Sequence, residues 1–231
     1  MGRQTKVRKT ITRLWLTLRH QIFGLRYRRL TIEYIDDTAL IVLPEVFNPV
    51  LFRTGEYLAR AIQAVPILKS DNHHQPLVLD LGCGSGVGAV FAACCGAHVI
   101  AVDLNPEAVR CTQLNALLNH FEDKIETRLG DLFEPVKGQS FDLILFNPPF
   151  YFGQPEDNLD MAWRGEKIFE RFANGLKDHL MPSGCALVVL STDGESKSAL
   201  TELHENGFVI RPTLRRDFGN EVITVYMASL S

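Results

Sequence analysis

The order of predicted elements after residue 76 constrains the fold more than any other feature. Short apolar runs alternate there with segments of helical periodicity, which is typical of an α/β domain. The predicted strands are Leu77–Leu81, His98–Val102, Ile125–Leu129, Phe141–Phe146, Cys185–Leu190, Phe208–Leu214 and Val222–Ala228. The predicted helices are Gly86–Gly96, Pro106–Asn119, Gly165–Leu180 and Glu195–Asn206. Because helices connect most of the early strands, we expect those strands to pair in parallel.

The last two predicted strands break this alternation. Only the residues Arg215–Asn220 join them, and that connection is too short to contain a crossover helix, so the two strands must be antiparallel. A mostly parallel, seven-stranded, Rossmann-like sheet that ends in an antiparallel hairpin is typical of class I S-adenosylmethionine-dependent methyltransferases. The element order therefore predicts that α/β fold rather than a dinucleotide-binding domain.

The sequence before residue 77 predicts a smaller N-terminal part. Residues 31–43 alternate and then become apolar, as in a short hairpin, and Thr54–Val65 has the periodicity of a helix. We divide the chain into 1–45, a basic amphipathic helix and a short hairpin, and 46–231, a methyltransferase domain.

Charge is distributed unevenly along the chain. Residues 1–30 contain nine basic residues and no acidic one, whereas the remainder contains 15 basic and 27 acidic residues. Such asymmetry predicts that the basic end meets something anionic, such as RNA, a ribosomal surface or anionic lipid. Apolar residues at helical spacing in this segment are Val7, Ile11, Leu14, Leu18 and Ile22. The helix either packs on the domain with a solvated basic face or recruits the substrate; both interpretations remain open.

Composition places the chain among ordinary globular proteins. It is 46% hydrophobic and 22% charged, and no apolar run approaches the ~18 residues of a membrane-spanning helix. Its five cysteines form no C-x-x-C pair and no Cys/His ligand spacing. We therefore expect reduced thiols in a cytoplasmic protein, with neither a transmembrane segment nor a metal site.

A glycine-rich loop follows the strand Leu77–Leu81 and opens the next helix. Glycines at 82, 84 and 86 (Gly82, Gly84 and Gly86) allow the backbone to turn tightly and approach a ligand, and the helix N-terminus presents free N–H groups. The dinucleotide spacing G-x-G-x-x-G fails because position 87 is valine. Asp80 precedes the loop, where its carboxylate can receive the cationic amino end of S-adenosyl-L-methionine.

Further cofactor contacts are predicted after the next two strands. Asp103 ends one strand, where its carboxylate can accept both ribose hydroxyls, and Leu104 beside it belongs to the same predicted site. Asn105 is also placed to cap the following helix. After the third strand, Asp131 can accept from the adenine amino group and Leu132 can pack on the ring. Together these residues predict S-adenosylmethionine binding.

The segment Asn147-Pro148-Pro149-Phe150 follows a buried strand and predicts the reaction. An amide or ring –NH2 is a poor nucleophile because its lone pair is delocalised, and it must pyramidalise to attack a sulfonium methyl group. The Asn147 side-chain oxygen and the Pro148 carbonyl can accept its two N–H bonds as positive charge develops, while Phe150 offers a face to the planar group. Most of the rate gain would come from orientation, and no general base is required.

These motifs resemble one family, the HemK-type small-domain methyltransferases, which are protein glutamine N5-methyltransferases. The resemblance rests on Asp80–Gly88, Asp103–Pro106, Asp131-Leu132, Asn147–Phe150, Val46–Pro49 and the segment from Asp160 to Phe172. It implies methylation of the glutamine in the Gly-Gly-Gln tip of peptide-chain release factors, with Asn147 and Pro148 in the roles given above.

Two other functions are left open by the same residues. Enzymes with an Asn-Pro-Pro-aromatic motif also methylate adenine N6 or guanine N2 in DNA or RNA, and the basic N-terminus favours that alternative. The acidic remainder of the chain counts against it, because the acidic residues in 154–160 would repel a nucleic acid. A methyltransferase fold acting only as a binding subunit is disfavoured by the intact set Asp80, Asp103 and Asn147.

Overall fold

A computed structural model describes residues 29–51, 53–69, 75–148, 167–192, 196–219 and 221–230 of the chain. The strands are β1 (Thr31–Ile35), β2 (Thr38–Val42), β3 (Leu77–Leu81), β4 (His98–Asp103), β5 (Ile125–Leu129), β6 (Phe141–Phe146), β7 (Leu180–Ser191), β8 (Phe208–Asp217) and β9 (Val222–Leu230). The helices are α1 (Thr54–Ala64), α2 (Val87–Cys94), α3 (Pro106–Leu118), α4 (Ile168–His179) and α5 (Ser196–Glu205), with short 3-10 turns at Pro66–Lys69 and Glu134–Val136.

Strands β3 to β9 form one seven-stranded sheet in the order β5-β4-β3-β6-β7-β9-β8. Strands β3 to β7 pair in parallel, and β9 pairs antiparallel with both β7 and β8. This is the predicted class I methyltransferase arrangement, so the fold expected from the element order is confirmed. The strand order reverses between β3 and β6, and in open α/β sheets the crevice at such a point is where ligands bind.

Helices cover both faces of the sheet, which explains the apolar strand sequences. All six residues of β6 are buried, as expected for a strand covered on both sides. One core contains Leu58 and Ile62 of α1 and Phe91 of α2. The other contains Phe172 of α4 and Leu203 of α5. Each face of the sheet thus has its own packed core.

Strands β4, β7, β8 and β9 are longer than the sequence predicts, and the difference is largest in β7 and β8. Strand β7 begins at Leu180 rather than residue 185, and a shift in its register against β6 accommodates the early residues. Gly184 permits this close pairing, since a Cβ there would lie 2.8 Å from the carbonyl oxygen of Phe141. Strand β8 continues to Asp217 rather than ending at residue 214, because charged side chains are tolerated on an edge strand.

The β1–β2 hairpin forms a separate two-stranded sheet that packs on α3. The Asn115 side chain accepts a hydrogen bond from the Ile41 N–H and donates one to the Ile41 carbonyl, both at 2.7 Å. It also donates to the carbonyl of Ser85 in the glycine loop at 2.8 Å. One fully buried amide thereby ties the hairpin and the loop to the same helix.

Several predictions concern residues outside the described part of the chain. The basic helix predicted within residues 1–28 lies there, as do Phe150 and the acidic segment 154–160. The proposed domain boundary at residue 45 stays a prediction. Among the residues that the structure describes, no helix is long and apolar enough to cross a membrane.

Candidate active site

The glycine loop is held against the end of β4. The N–H groups of Gly82 and Cys83 both donate to the carbonyl of Val102, at 2.8 and 3.0 Å. Gly82, Gly84 and Gly86 all have positive φ, at 65°, 55° and 78°, a region that residues with a Cβ rarely adopt. The loop therefore turns as the sequence predicts, and its glycines are required by the backbone conformation.

Asp80 is buried beneath the first turn of α2. Its carboxylate accepts a hydrogen bond from the Ala89 N–H at 2.8 Å. A Cβ on Gly88 would lie 2.7 Å from the Asp80 Oδ1, so the helix can approach the carboxylate this closely only with glycine at 88. Burial raises the pKa of Asp80 from 3.8 to about 7, because removal from water disfavours the charged form. A cation placed beside Asp80 would reverse that effect.

Asp103 closes the loop from the other side. Its two oxygens accept hydrogen bonds from the N–H groups of Gly84 and Asn105, each at 2.9 Å. Burial raises its pKa, and these backbone donors act in the opposite direction. A carboxylate has about four acceptor positions, and the hydrogen bonds from ribose hydroxyls to Asp103 stay a prediction.

Asn105 has the capping role predicted for it and a second role. Its side-chain oxygen accepts from the Glu107 N–H at 3.0 Å, at the start of α3. Its amide nitrogen donates to the carbonyl of Glu45 at 3.1 Å. The cap thus also fixes the segment after β2, which borders the cleft.

The residues predicted to meet adenine lie at the rim of the cleft. Asp131 accepts a hydrogen bond from the Arg171 guanidinium at 2.7 Å, so one of its oxygens already has a partner. Leu132 has a φ of 46°, and Leu104 is 53% exposed. These two apolar side chains can cover a flat ring, and the adenine contacts of Asp131 and Leu132 stay predictions.

Asn147 lies immediately after β6, at the point where the strand order reverses. Its Nδ2 donates to the Thr54 Oγ1 at 3.2 Å. Its Oδ1 is buried and has no hydrogen-bond partner among the residues that the structure describes. An unpaired buried acceptor is costly, so this atom is suited to receive an N–H from a bound molecule. Pro148, whose carbonyl is the second predicted acceptor, is buried beside it.

One cleft brings these residues together. Its lining includes the following predicted residues: Asp80, Gly82, Gly84, Asp103, Leu104, Asp131, Leu132, Asn147 and Pro148. Among the described residues of the predicted site, Gly86 alone does not line the cleft. A Cβ on Gly86 would lie 2.8 Å from the Thr112 side chain, so its role is to let the loop pack on α3.

The structure adds three residues that sequence reasoning missed. Thr54 and Arg171 contact predicted site residues across separations of 93 and 40 positions, and no local pattern indicates such pairs. The sequence does contain a signal for Asn115, because a polar residue on the buried face of a helix needs hydrogen-bond partners. The segment Glu45–Pro49 also borders the cleft.

These features define the class of the protein. A carboxylate at the end of β4, a glycine loop at the start of α2 and an unpaired amide oxygen after β6 fit S-adenosylmethionine and a nitrogen acceptor. Residues 63–213 match the model of the methyltransferase small domain family. The chain belongs to that family and is an S-adenosylmethionine-dependent methyltransferase.

Similar proteins agree with this assignment. A Methanocaldococcus jannaschii protein with the provisional name protein N5-glutamine methyltransferase is 32% identical over 190 residues, covering 78% of this chain and 90% of its own. Methyltransferase HEMK2 of Mus musculus is 29% identical over 168 residues, covering 67% of this chain and 78% of its own. The resemblance to HemK-type enzymes stated from the motifs is thereby confirmed.

Solved structures support the fold. The T. thermophilus 16S rRNA N2 G1207 methyltransferase, in complex with AdoMet and guanosine, superposes with a TM-score of 0.65 at 23% identity. The match covers 88% of this chain and 50% of that one. At this identity the likeness concerns the fold alone.

Proposed function

We propose that the enzyme methylates the side-chain amide nitrogen of a glutamine in a protein, of the kind found in peptide-chain release factors. The observation that carries this proposal is the Asn147 Oδ1, which is buried and has no partner within the described residues. It sits at the carboxyl end of β6 in the same cleft as Asp80 and Asp103. The acceptor site and the cofactor residues are therefore contiguous.

The residues of this chain act on the acceptor by orientation. The Asn147 Oδ1 and the Pro148 carbonyl accept the two N–H bonds of the amide, which favours a pyramidal nitrogen with its lone pair directed away from both acceptors. S-adenosylmethionine, when bound, supplies an electrophilic methyl group whose bond to sulfur breaks with the electron pair remaining on sulfur. The extra proton on the methylated nitrogen leaves to water, so no residue of the cleft has to serve as a general base.

The relatives' names include RNA methyltransferases as well as glutamine methyltransferases, and the longer of these matches favours glutamine over a nucleobase. The Methanocaldococcus protein, which covers most of this chain, is named for protein N5-glutamine methylation. Outside its first 30 residues the chain has an excess of acidic over basic residues, and such a surface repels a phosphate backbone. A protein loop carries no such penalty.

A second candidate function is methylation of an RNA base. The structural neighbour that acts on 16S rRNA shares the fold, and the nine basic residues in 1–30 could bind RNA or the ribosome. An adenine or guanine amino group presents the same planar –NH2 to Asn147. Under the first proposal the basic segment instead binds the ribosome, where release factors act. The enzyme would then work in the cytoplasm.

Transfer of a labelled methyl group distinguishes the two acceptors. The enzyme is incubated with methyl-labelled S-adenosylmethionine and, separately, a release factor, the same factor with its Gly-Gly-Gln glutamine changed to alanine, and ribosomal RNA. We expect label in the unmodified factor alone. Label in the alanine-substituted factor would refute that glutamine as the acceptor, and label in RNA alone would establish the second candidate.

A further inference from the structure

The Thr54 side chain is the hydrogen-bond partner of the amide nitrogen of Asn147, at 3.2 Å. We propose that Thr54 is a positioning residue that directs the Asn147 Oδ1 toward the acceptor nitrogen. This inference rests on the proposed role of Asn147 and deepens it, because it assigns a cause to the orientation of the amide.

Thr54 acts from behind Asn147 rather than from within the cleft. It is 1% exposed and does not belong to the cleft lining, whereas Asn147 does. A substrate in the cleft would therefore meet the asparagine and not the threonine. Thr54 therefore affects turnover indirectly, through the position of the Asn147 amide.

The orientation of that amide decides whether it can act. The two ends of a carboxamide are similar in size, but one accepts hydrogen bonds and the other donates them. If Nδ2 faced the cleft, it would present N–H groups to the N–H groups of the acceptor, and the contact would be repulsive. In the structure, Nδ2 donates to the Thr54 Oγ1 on the protein side, and Oδ1 is left for the acceptor.

The start of α1 keeps the hydroxyl in place. Arg53 precedes Thr54 in a left-handed conformation with a φ of 63°, and its guanidinium lies 4.3 Å from the centre of the Phe218 ring. On the other side, a Cβ on Gly55 would lie 2.3 Å from the Pro49 Cβ, so the helix and the loop are in close contact. Thr54 is thereby clamped between the β8–β9 hairpin and the segment that borders the cleft.

Two substitutions separate positioning from packing, since they remove different parts of the side chain. Thr54→Val keeps the shape and loses the hydroxyl, whereas Thr54→Ser keeps the hydroxyl and loses a methyl group. Positioning predicts that the valine variant loses roughly 10-fold or more in kcat, by analogy with the loss of hydrogen-bond partners that orient metal ligands. It also predicts that the serine variant retains most of the activity and that both bind S-adenosylmethionine like the wild type. A packing role predicts the opposite ranking.

The side-chain amide resonances of Asn147 provide a readout that does not need turnover. They are assigned in the wild type by their loss in Asn147→Ala, and we expect them to shift in Thr54→Val but to stay near their wild-type position in Thr54→Ser. Equal kcat in the wild type and the valine variant, or an unshifted amide, would overturn the proposal. If the valine variant does not fold, comparison of Thr54→Ala with Thr54→Ser gives the same ranking.

The failure of the proposed function would be recognised separately. If the wild type methylates a nucleobase instead of glutamine, the glutamine assignment fails and the ranking of the Thr54 variants is measured on the base. If no acceptor is methylated, the amide resonances alone decide whether Thr54 orients Asn147.

Discussion

The side chain of Asn115 hydrogen-bonds both backbone groups of Ile41, each at 2.7 Å. This pair of contacts continues the edge of β2 as a neighbouring strand would, although Asn115 belongs to a helix. A third bond joins the same amide to the Ser85 carbonyl in the glycine loop. The hairpin therefore contributes to the shape of the cofactor site without touching it.

Replacement of Asn115 by alanine tests this link. The change leaves three backbone groups without their hydrogen-bond partner. We therefore expect the free energy of unfolding, measured by denaturant titration, to fall by about 3 kcal/mol. Asn119→Ala is the matched control, because within the described part of the chain the side chain of that partly exposed residue bonds two carbonyls, those of Ala39 and Asn115. Equal losses in the two variants would contradict a special role for Asn115.

The strands that form the site follow from local sequence, and the contacts that complete it do not. Strands β3 and β6 have the predicted bounds because a buried parallel strand is a near-continuous apolar run, followed here by a glycine after β3 and an asparagine after β6. The contact between Thr54 and Asn147 joins residues 93 positions apart, and it depends on how α1 packs against β7 and β9. No spacing in the sequence encodes that packing.

Strand ends at the edge of the sheet show a second limit. The four residues before Cys185 include Pro182 and Gly184, which normally indicate a turn. In the structure they belong to β7, whose register shift against β6 accommodates them. The pairs of β7 with β6 skip from Leu180 to Cys185, so the turn signal corresponds to an irregularity within the strand.

Asp103→Ala tests the ribose contact. Loss of the carboxylate removes the acceptors predicted for the ribose and releases the N–H of Gly84, which Asp103 holds at 2.9 Å. We expect the Kd for S-adenosylmethionine to rise roughly 10-fold to 100-fold by calorimetry, since hydrogen bonds to charged groups contribute about 1.5–3 kcal/mol. Asp178→Asn, an exposed change on α4, serves as the control. Wild-type affinity in Asp103→Ala would refute the contact.

We expect Asp80 to make the affinity for S-adenosylmethionine depend on pH. Burial raises its pKa to about 7, so the carboxyl group is largely protonated at pH 6, whereas the cationic amino end of the cofactor favours the ionised form. Affinity is therefore expected to fall as the pH drops below 7, by up to about tenfold per pH unit. Measurements between pH 6 and 7 avoid titration of the cofactor's own amino group near 8.

Asp80→Asn removes the titrating group and should flatten this pH profile.

The free energy of unfolding depends on pH in the opposite direction to the affinity for the cofactor. A carboxyl group whose pKa is raised on folding stabilises the folded state when protonated, and this contribution is lost as the pH rises from 3.8 through about 7. A pH profile that is the same in the wild type and the asparagine variant would show that Asp80 does not contact the amino group.

We propose that the Asn147 Oδ1 accepts a hydrogen bond from the nitrogen that receives the methyl group. The most direct test measures two properties of the Asn147→Ala variant. The first is its kcat with the acceptor that the wild type methylates, and the second is its affinity for S-adenosylmethionine by calorimetry. We expect kcat to fall by roughly 10²- to 10³-fold, as for the loss of one oriented polar partner, with the cofactor Kd nearly unchanged. Wild-type turnover in this variant would contradict the role assigned to Asn147.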